Sequence, residues 1–207
     1  MSKHQIDNII FDLGGVLIDW NPRHLYKKIF KGDEEQMEWY LSHICTNEWN
    51  MEQDAGRSLQ KGTDLLVKQY PEYAEGITAY YQRWEEMLYG EIKDTVLILN
   101  LLHSLNKKKL YALTNWSAET FPVAMRGFPF LKLFEGIVVS GTEMCRKPYE
   151  KIYNILLDRY EIKAENSLFI DDNKENVDAA LQLGFHAVHF KSPQLLKAEL
   201  MKLQLLY

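Results

Sequence analysis

The sequence predicts an α/β fold, a doubly wound parallel sheet with a helical segment inserted after its first strand. Three observations predict it. Short, wholly apolar runs recur along the chain, helical patterns separate the later ones, and one long aromatic-rich stretch contains no such run. Runs without polar alternation suit strands buried on both faces, as in parallel sheets. Strand–helix alternation then argues for a doubly wound arrangement.

The first strand is "IIF", which delivers Asp12 and then breaks at Gly14 and Gly15. The stretch from about residue 20 to 90 holds four of the five tryptophans and seven of the twelve tyrosines, without a convincing buried strand. Within it, "DEEQMEWYLSHI" places Met37, Leu41 and Ile44 on one helical face, and Asp33 and Gln36 are spaced like a capping box. "EYAEGITAYYQRWEEML" predicts a second helix through Tyr73, Ile77, Tyr80, Tyr81, Trp84 and Leu88, and "NEWNMEQDAGRS" reads as a loop between helices. Next comes the helix "DTVLILNLLHSLNKK", with Lys107, Lys108 and Lys109 expected at its C-terminal end, where positive charge meets the helix dipole. Strands follow at "LYALT", "GIVVS", "SLFID" and "HAVHF". Between them, "PYEKIYNILLDRY" predicts a helix with Pro148 in its first turn, and "KENVDAALQLG" one capped by a left-handed Gly184. The expected division is 1–18 and 91–207 for the sheet domain, with 19–90 as the helical insertion.

At 207 residues the chain has room for one domain, or one domain with a modest insertion. Its 46% hydrophobic and 26% charged residues are those of an ordinary globular protein. A net charge of -5, spread along the chain, argues against nucleic acid or an anionic membrane as partner, since both need clustered Lys and Arg. Cys45 and Cys145 sit in no metal-binding pattern and fit a reducing compartment better than a disulfide framework, and the six histidines show no zinc-ligand spacing. No leader pattern opens the chain and no window approaches the ~18 apolar residues of a membrane span. The expected location is cytoplasmic.

Ligands of open α/β sheets bind outside the carboxyl ends of the strands. Four polar clusters fall there: Asp12, Thr114 with Asn115, Lys147, and Asp171 with Asp172. Taken singly, each has a structural explanation as a tight turn, a loop start, a surface charge or a helix cap. Their joint occurrence at successive strand ends favours chemistry. An aspartate can attack phosphorus and form an acyl-phosphate. Its own charge repels a phosphate, so a divalent cation must bridge them, and carboxylates with backbone carbonyls are the oxygen ligands that Mg²⁺ prefers. Thr114, Asn115 and Lys147 could supply the donors and the cation that the remaining phosphate oxygens need.

In this order and spacing, "FDLGGVLID", "LTNWS", "RKPYEKIY" and "LFIDDNKENVDAALQLG" resemble the four motifs of the haloacid dehalogenase-like hydrolase superfamily. The resemblance covers the whole chain. It is greatest to the helical-cap subgroup and, within that, to sugar-1-phosphate phosphatases and the epoxide-hydrolase N-terminal phosphatases. It implies a Rossmann-like core, a helical cap over 19–90, Mg²⁺ as cofactor and a small phosphorylated metabolite as substrate. Carried over by position, it implies that Asp12 is the nucleophile and that the Gly14 carbonyl ligates the metal with Asp12, Asp171 and Asp172. Of that acidic pair, Asp172 aligns best with the metal ligand and Asp171 assists. Thr114 and the Asn115 backbone hold the phosphoryl group, and Lys147 balances the charge of the aspartyl-phosphate.

The sequence departs from the family pattern at Gly14, where DxDx[TV] carries the aspartate that protonates the leaving group. General acid–base catalysis is worth about 10²–10⁴ in rate. Three explanations stay open: a leaving group that needs little protonation, such as a sugar's anomeric oxygen; a proton donor from the cap; or a protein that mainly binds. Rival functions are a metal-independent 2-haloacid dehalogenase and a non-enzymatic phospholigand-binding protein. Candidates to face the site from the insertion are Trp20, Arg23, Trp49, Glu52 and Arg57. Asp19 is expected at a turn or helix cap near the hinge.

Overall fold

The structure is a computed structural model, described over residues 5–207. Its central sheet has five parallel strands in the order β5-β4-β1-β6-β7. These are β1 (Asn8–Phe11), β4 (Lys109–Thr114), β5 (Gly136–Val139), β6 (Ser167–Asp171) and β7 (His186–His189). The first strand is therefore central, and the chain builds outward from it on one side and then the other. Alternate residues of β1 enter different apolar layers. Ile9 and Phe11 join a cluster that continues into the insertion, whereas Ile10 packs with Tyr111, Leu113, Tyr153 and Phe169. Both faces of the sheet are covered, which is why its strands read as unbroken apolar runs.

Register fixes the heights of the strand ends. Phe11 lies opposite Ala112 of β4 and Ile170 of β6. The next residue on each strand is Asp12, Leu113 and Asp171, and the Asp12 amide donates to the Ile170 carbonyl at 2.8 Å. The nucleophile candidate and the acidic pair thus emerge at one level.

A second, two-stranded antiparallel ribbon joins β2 (Ile18–Trp20) to β3 (Leu88–Glu91). Between its strands run α1 (Arg23–Ile29), α2 (Glu34–His43), α3 (Asn47–Asp54), α4 (Leu59–Gln69) and α5 (Ala74–Gln82). The remaining helices are α6 (Lys93–Leu105), α7 (Phe121–Gly127), α8 (Ser140–Glu143), α9 (Glu150–Tyr160), α10 (Lys174–Gln182) and α11 (Pro193–Lys202). No helix among the described residues is long and apolar enough to cross a membrane.

Several local expectations need correction. Most of the stretch 47–58 is helical: Thr46 caps the Trp49 amide and α3 runs to Asp54, which leaves only 55–58 as the connection to α4. The helix expected through Leu88 is broken. It opens as a 3₁₀ turn at Pro71–Tyr73, and after α5 it tightens into a second at Trp84–Met87. That turn buries Trp84 and Met87 and frees Leu88 to pair with Trp20. The ribbon was hidden because its strands are too short to show a period. Asp19 lies in β2, 3.0 Å from His24. Lys107 to Lys109 lie beyond α6, which ends with Asn106 in the left-handed region, and Lys109 already belongs to β4. Helix α9 starts two residues after Pro148, with Tyr149 extended as its N-cap residue. The Asp33 cap on the Gln36 amide and the left-handed Gly184 (φ 89°) are as expected.

Candidate active site

Lys147 is the hub of the site. Its ammonium is wholly buried and spends its three protons on the Leu113 carbonyl (2.8 Å), Asp171 Oδ2 (2.6 Å) and Asp12 Oδ1 (2.9 Å). The backbone that carries it is clamped by the Asn115 side chain, whose Oδ1 accepts from the Lys147 amide and whose Nδ2 donates to its carbonyl, at 2.8 and 3.0 Å. The side chain of Asn115 is thus committed to positioning, which leaves its backbone amide for a ligand. Asp171 is saturated as well. Besides Lys147 it accepts from the Asn173 amide at 2.8 Å and from Asn176 Nδ2 at 3.0 Å.

Asp12 uses one oxygen, Oδ1, both for Lys147 and for the Leu13 amide at 2.7 Å. Its Oδ2 has no hydrogen-bond partner among the described residues. Asp172 is the most exposed carboxylate of the three and lies against Gly15, where a Cβ would stand 2.3 Å from its Oδ2. Gly15 has φ 73°, a left-handed turn that glycine adopts freely. One carboxylate oxygen each from Asp12, Asp171 and Asp172 lies within 4.8 Å of the others.

The electrostatics show what this cluster lacks. Burial pushes the Asp12 carboxyl up to about 8; Lys147 opposes that rise, while Asp171 and Asp172 add to it. Asp172 is raised too, by burial and then by Asp171. Burial alone would lower Lys147, but Asp12 and Asp171 beside it hold it above its usual range. Three carboxylates against one ammonium leave two negative charges uncompensated, and a divalent cation matches that deficit. The Gly14 carbonyl accepts none of the loop's backbone hydrogen bonds. An all-oxygen donor set of this kind fits Mg²⁺.

Above the cluster opens a cleft of about 490 Å³. Asp12, Gly14, Gly15, Asn115, Lys147 and Asp172 form its floor. The insertion contributes Asn21, Arg23, Glu38, Asn47, Asn50 and Asp54 to its walls. Arg23 grips Glu38 through two hydrogen bonds of 2.5 and 2.6 Å. Three buried side-chain polar atoms among the described residues have no partner, and two of them bear on the site: the indole nitrogen of Trp20, a cleft residue, and the hydroxyl of Thr114, next to Asn115; the third is the Thr95 hydroxyl of α6. Leaving a buried donor unpaired costs about 1–3 kcal/mol, a cost that a bound ligand can relieve.

Of the insertion residues singled out from sequence, Trp20 and Arg23 line the cleft. Trp49 turns its indole to the Gly62 carbonyl, Arg57 binds Gln53 and the Trp49 carbonyl, and Glu52 is exposed; none of the three lines it. The residues missed were Asn47, Asn50 and Asp54. They share one face of α3 at i, i+3 and i+7, a spacing that becomes visible only once the segment is read as helical.

The sequence matches the haloacid dehalogenase-like hydrolase family over residues 6–184. It is 26% identical over 182 residues to a sesquiterpene phosphatase of Aspergillus oryzae, covering 87% of each chain. Among solved structures, the fold is similar to a predicted HAD-like family hydrolase from Porphyromonas gingivalis (TM-score 0.73, 22% identity, 97% and 98% of the two chains covered). It is also similar to a HAD family enzyme of Bacteroides thetaiotaomicron in complex with magnesium and inorganic phosphate (TM-score 0.66, 24% identity, 90% and 95% covered). At these identities the structural likenesses speak for the fold. With four motif clusters gathered at the carboxyl ends of a parallel sheet and the match spanning most of its length, the chain belongs to the haloacid dehalogenase-like hydrolases.

Proposed function

We propose that the protein is a Mg²⁺-dependent phosphomonoester hydrolase that acts on a small phosphorylated metabolite through an aspartyl-phosphate on Asp12. The observation that carries this reading is the pairing of Asp12 with Lys147 at 2.9 Å, inside a carboxylate cluster whose ligand oxygens lie within 4.8 Å of one another. Held by Asp12, Asp172 and the Gly14 carbonyl, with the hydrogen-bonded Asp171 assisting directly or through water, Mg²⁺ would neutralise phosphate oxygens and hold Asp12 ionised. Asp12 then attacks phosphorus with its free oxygen. Lys147 keeps Asp12 oriented and offsets charge as the acyl-phosphate forms. The Thr114 hydroxyl and the Asn115 amide donate to the phosphoryl oxygens, which gives the orphaned Thr114 donor its partner. In this reading residues 19–90 form a cap on the 1–18 and 91–207 core, and its closure excludes water from the attacking geometry.

The cleft walls bear on the substrate. Asn21, Ser42, Asn47 and Asn50, with the Arg23–Glu38 pair, supply both donors and acceptors, which suits a polyhydroxylated group. The sesquiterpene phosphatase is named for a far more apolar substrate. We therefore favour a sugar phosphate, and a sugar 1-phosphate in particular, because its anomeric oxygen leaves more readily than an ordinary alcohol. The test is phosphate release with Mg²⁺ from sugar 1-phosphates, sugar 6-phosphates, nucleotides and a prenyl monophosphate. The expected result is 1-phosphate turnover well ahead of 6-phosphate; equal rates on the two would refute the assignment.

A further inference from the structure

Position 14 has no side chain, yet nothing in the fold demands that. A Cβ built on Gly14 meets no atom within 4 Å, so the space that a side chain there would enter is open. Another carboxyl borders the same space. Asp54 lines the main cleft together with Gly14, and again with Gly14 a smaller pocket walled by Trp20, Trp84 and Trp116. It is the last residue of α3, and α3 is held onto the sheet domain at that point: Ser140 Oγ of α8 donates to the Asp54 carbonyl at 2.5 Å.

We propose that Asp54 is the general acid and base of the reaction, donating a proton to the departing oxygen and later taking one from the attacking water. The inference rests on the hydrolase reading above, not on the choice of sugar. Its surroundings favour the acid form. A negative charge at the C-terminal end of a helix is opposed by the helix dipole, and indole walls solvate it poorly. Burial pushes the carboxyl up to about 7, while the Ser117 amide and Arg146 pull it down. The remaining groups around it are Asn50, whose Nδ2 donates to Asp54 Oδ2 at 2.9 Å, and Tyr80 and Tyr81 of α5, both kept neutral chiefly by their burial. A carboxyl that titrates near neutrality can give and retake a proton within one turnover.

The proton balance closes. In the first step Asp12 forms its bond to phosphorus, the ester P–O bond breaks, and the Asp54 proton moves to the leaving oxygen to release an alcohol. In the second, the Asp54 carboxylate accepts a proton from water as that water's oxygen bonds to phosphorus. The acyl-phosphate bond then breaks, returning Asp12 as carboxylate and Asp54 as acid, with inorganic phosphate released.

Leaving-group dependence tests this directly, because a group that departs as a stable anion needs no proton. Asp54→Asn keeps an acceptor for Asn50 and removes both the acid and the base. With protein in excess and Mg²⁺ present, single-turnover release of the leaving group reads the first step alone, and it is compared for the variant and the native protein on an alkyl monophosphate (a sugar 6-phosphate) and on p-nitrophenyl phosphate. The expected loss is about 10²–10⁴-fold for the alkyl ester and much smaller for p-nitrophenyl phosphate, while steady-state turnover falls on both because the water step loses its base. Circular dichroism shows that the variant is folded. Equal single-turnover losses on the two esters, or no loss on either, overturn the assignment. Asp54→Glu, which restores an acid on a longer arm, should recover part of the alkyl activity; a variant as poor as Asp54→Asn also counts against it. Hydrolysis of neither ester by the native protein overturns the phosphatase reading itself, an outcome distinct from a uniform loss in the variant.

Discussion

A Cβ on Gly15 would stand 2.3 Å from Asp172 Oδ2, whereas one on Gly14 would meet nothing within 4 Å. Adjacent glycines therefore answer to different constraints. Gly15 holds a left-handed turn that costs an L-residue roughly 1–2 kcal/mol, and its bare face leaves room for a carboxylate. Gly14 is sterically free, so its lack of a side chain belongs to chemistry rather than to folding. Gly15→Ala should weaken Mg²⁺ binding by about tenfold or more, equivalent to ~1.4 kcal/mol, while Gly14→Ala leaves it nearly unchanged. Calorimetric titration of each variant with MgCl₂ measures this. Equal affinities would place Asp172 away from the metal. Lys147 shows the complementary economy: with all three protons donated inside the protein, it orients carboxylates more than it reaches outward.

At the scale of elements, the contact between α3 and α8 decides whether the insertion presents its carboxyl to the site. Ser140 is wholly buried and works in two directions, accepting from the Trp116 amide at 2.9 Å and donating to the Asp54 carbonyl at 2.5 Å. Ser140→Ala strips a partner from both backbone groups, and the expected cost is about 1–3 kcal/mol, read from the urea unfolding midpoint. An unchanged midpoint would mean that this contact does not hold the two parts together. The same elements show what a sequence discloses. The sheet strands and the clusters at their ends were legible because burial on both faces leaves long apolar runs that stop abruptly at polar residues. Helix α3 was not, since Asn47, Asn50 and Asp54 put polar groups toward a cleft and erase the apolar stripe by which a helix is recognised. The β2–β3 ribbon was equally silent, with three and four residues in strands whose pairing partners lie some seventy positions apart.

Across the whole molecule, charge and topology converge on one point. The net charge is mild and dispersed, yet three carboxylates gather at the carboxyl ends of β1 and β6 around a single buried lysine. Parallel strands in register bring them there from positions far apart in sequence, and the helical insertion supplies walls of mixed donors and acceptors. Such a concentration of like charge is tolerable when a cation offsets it and useful when the substrate is an anion bridged by that cation. The central claim is that Asp12 attacks phosphorus with Mg²⁺ beside it. Phosphate release from the best substrate of the panel, measured for the native protein and for Asp12→Asn, each with Mg²⁺ and with excess EDTA, tests it most directly. The account predicts turnover only for the native protein with Mg²⁺, with a drop of about a thousandfold or more in Asp12→Asn while the fold is kept by circular dichroism. Turnover that survives in folded Asp12→Asn, or in EDTA, would contradict it.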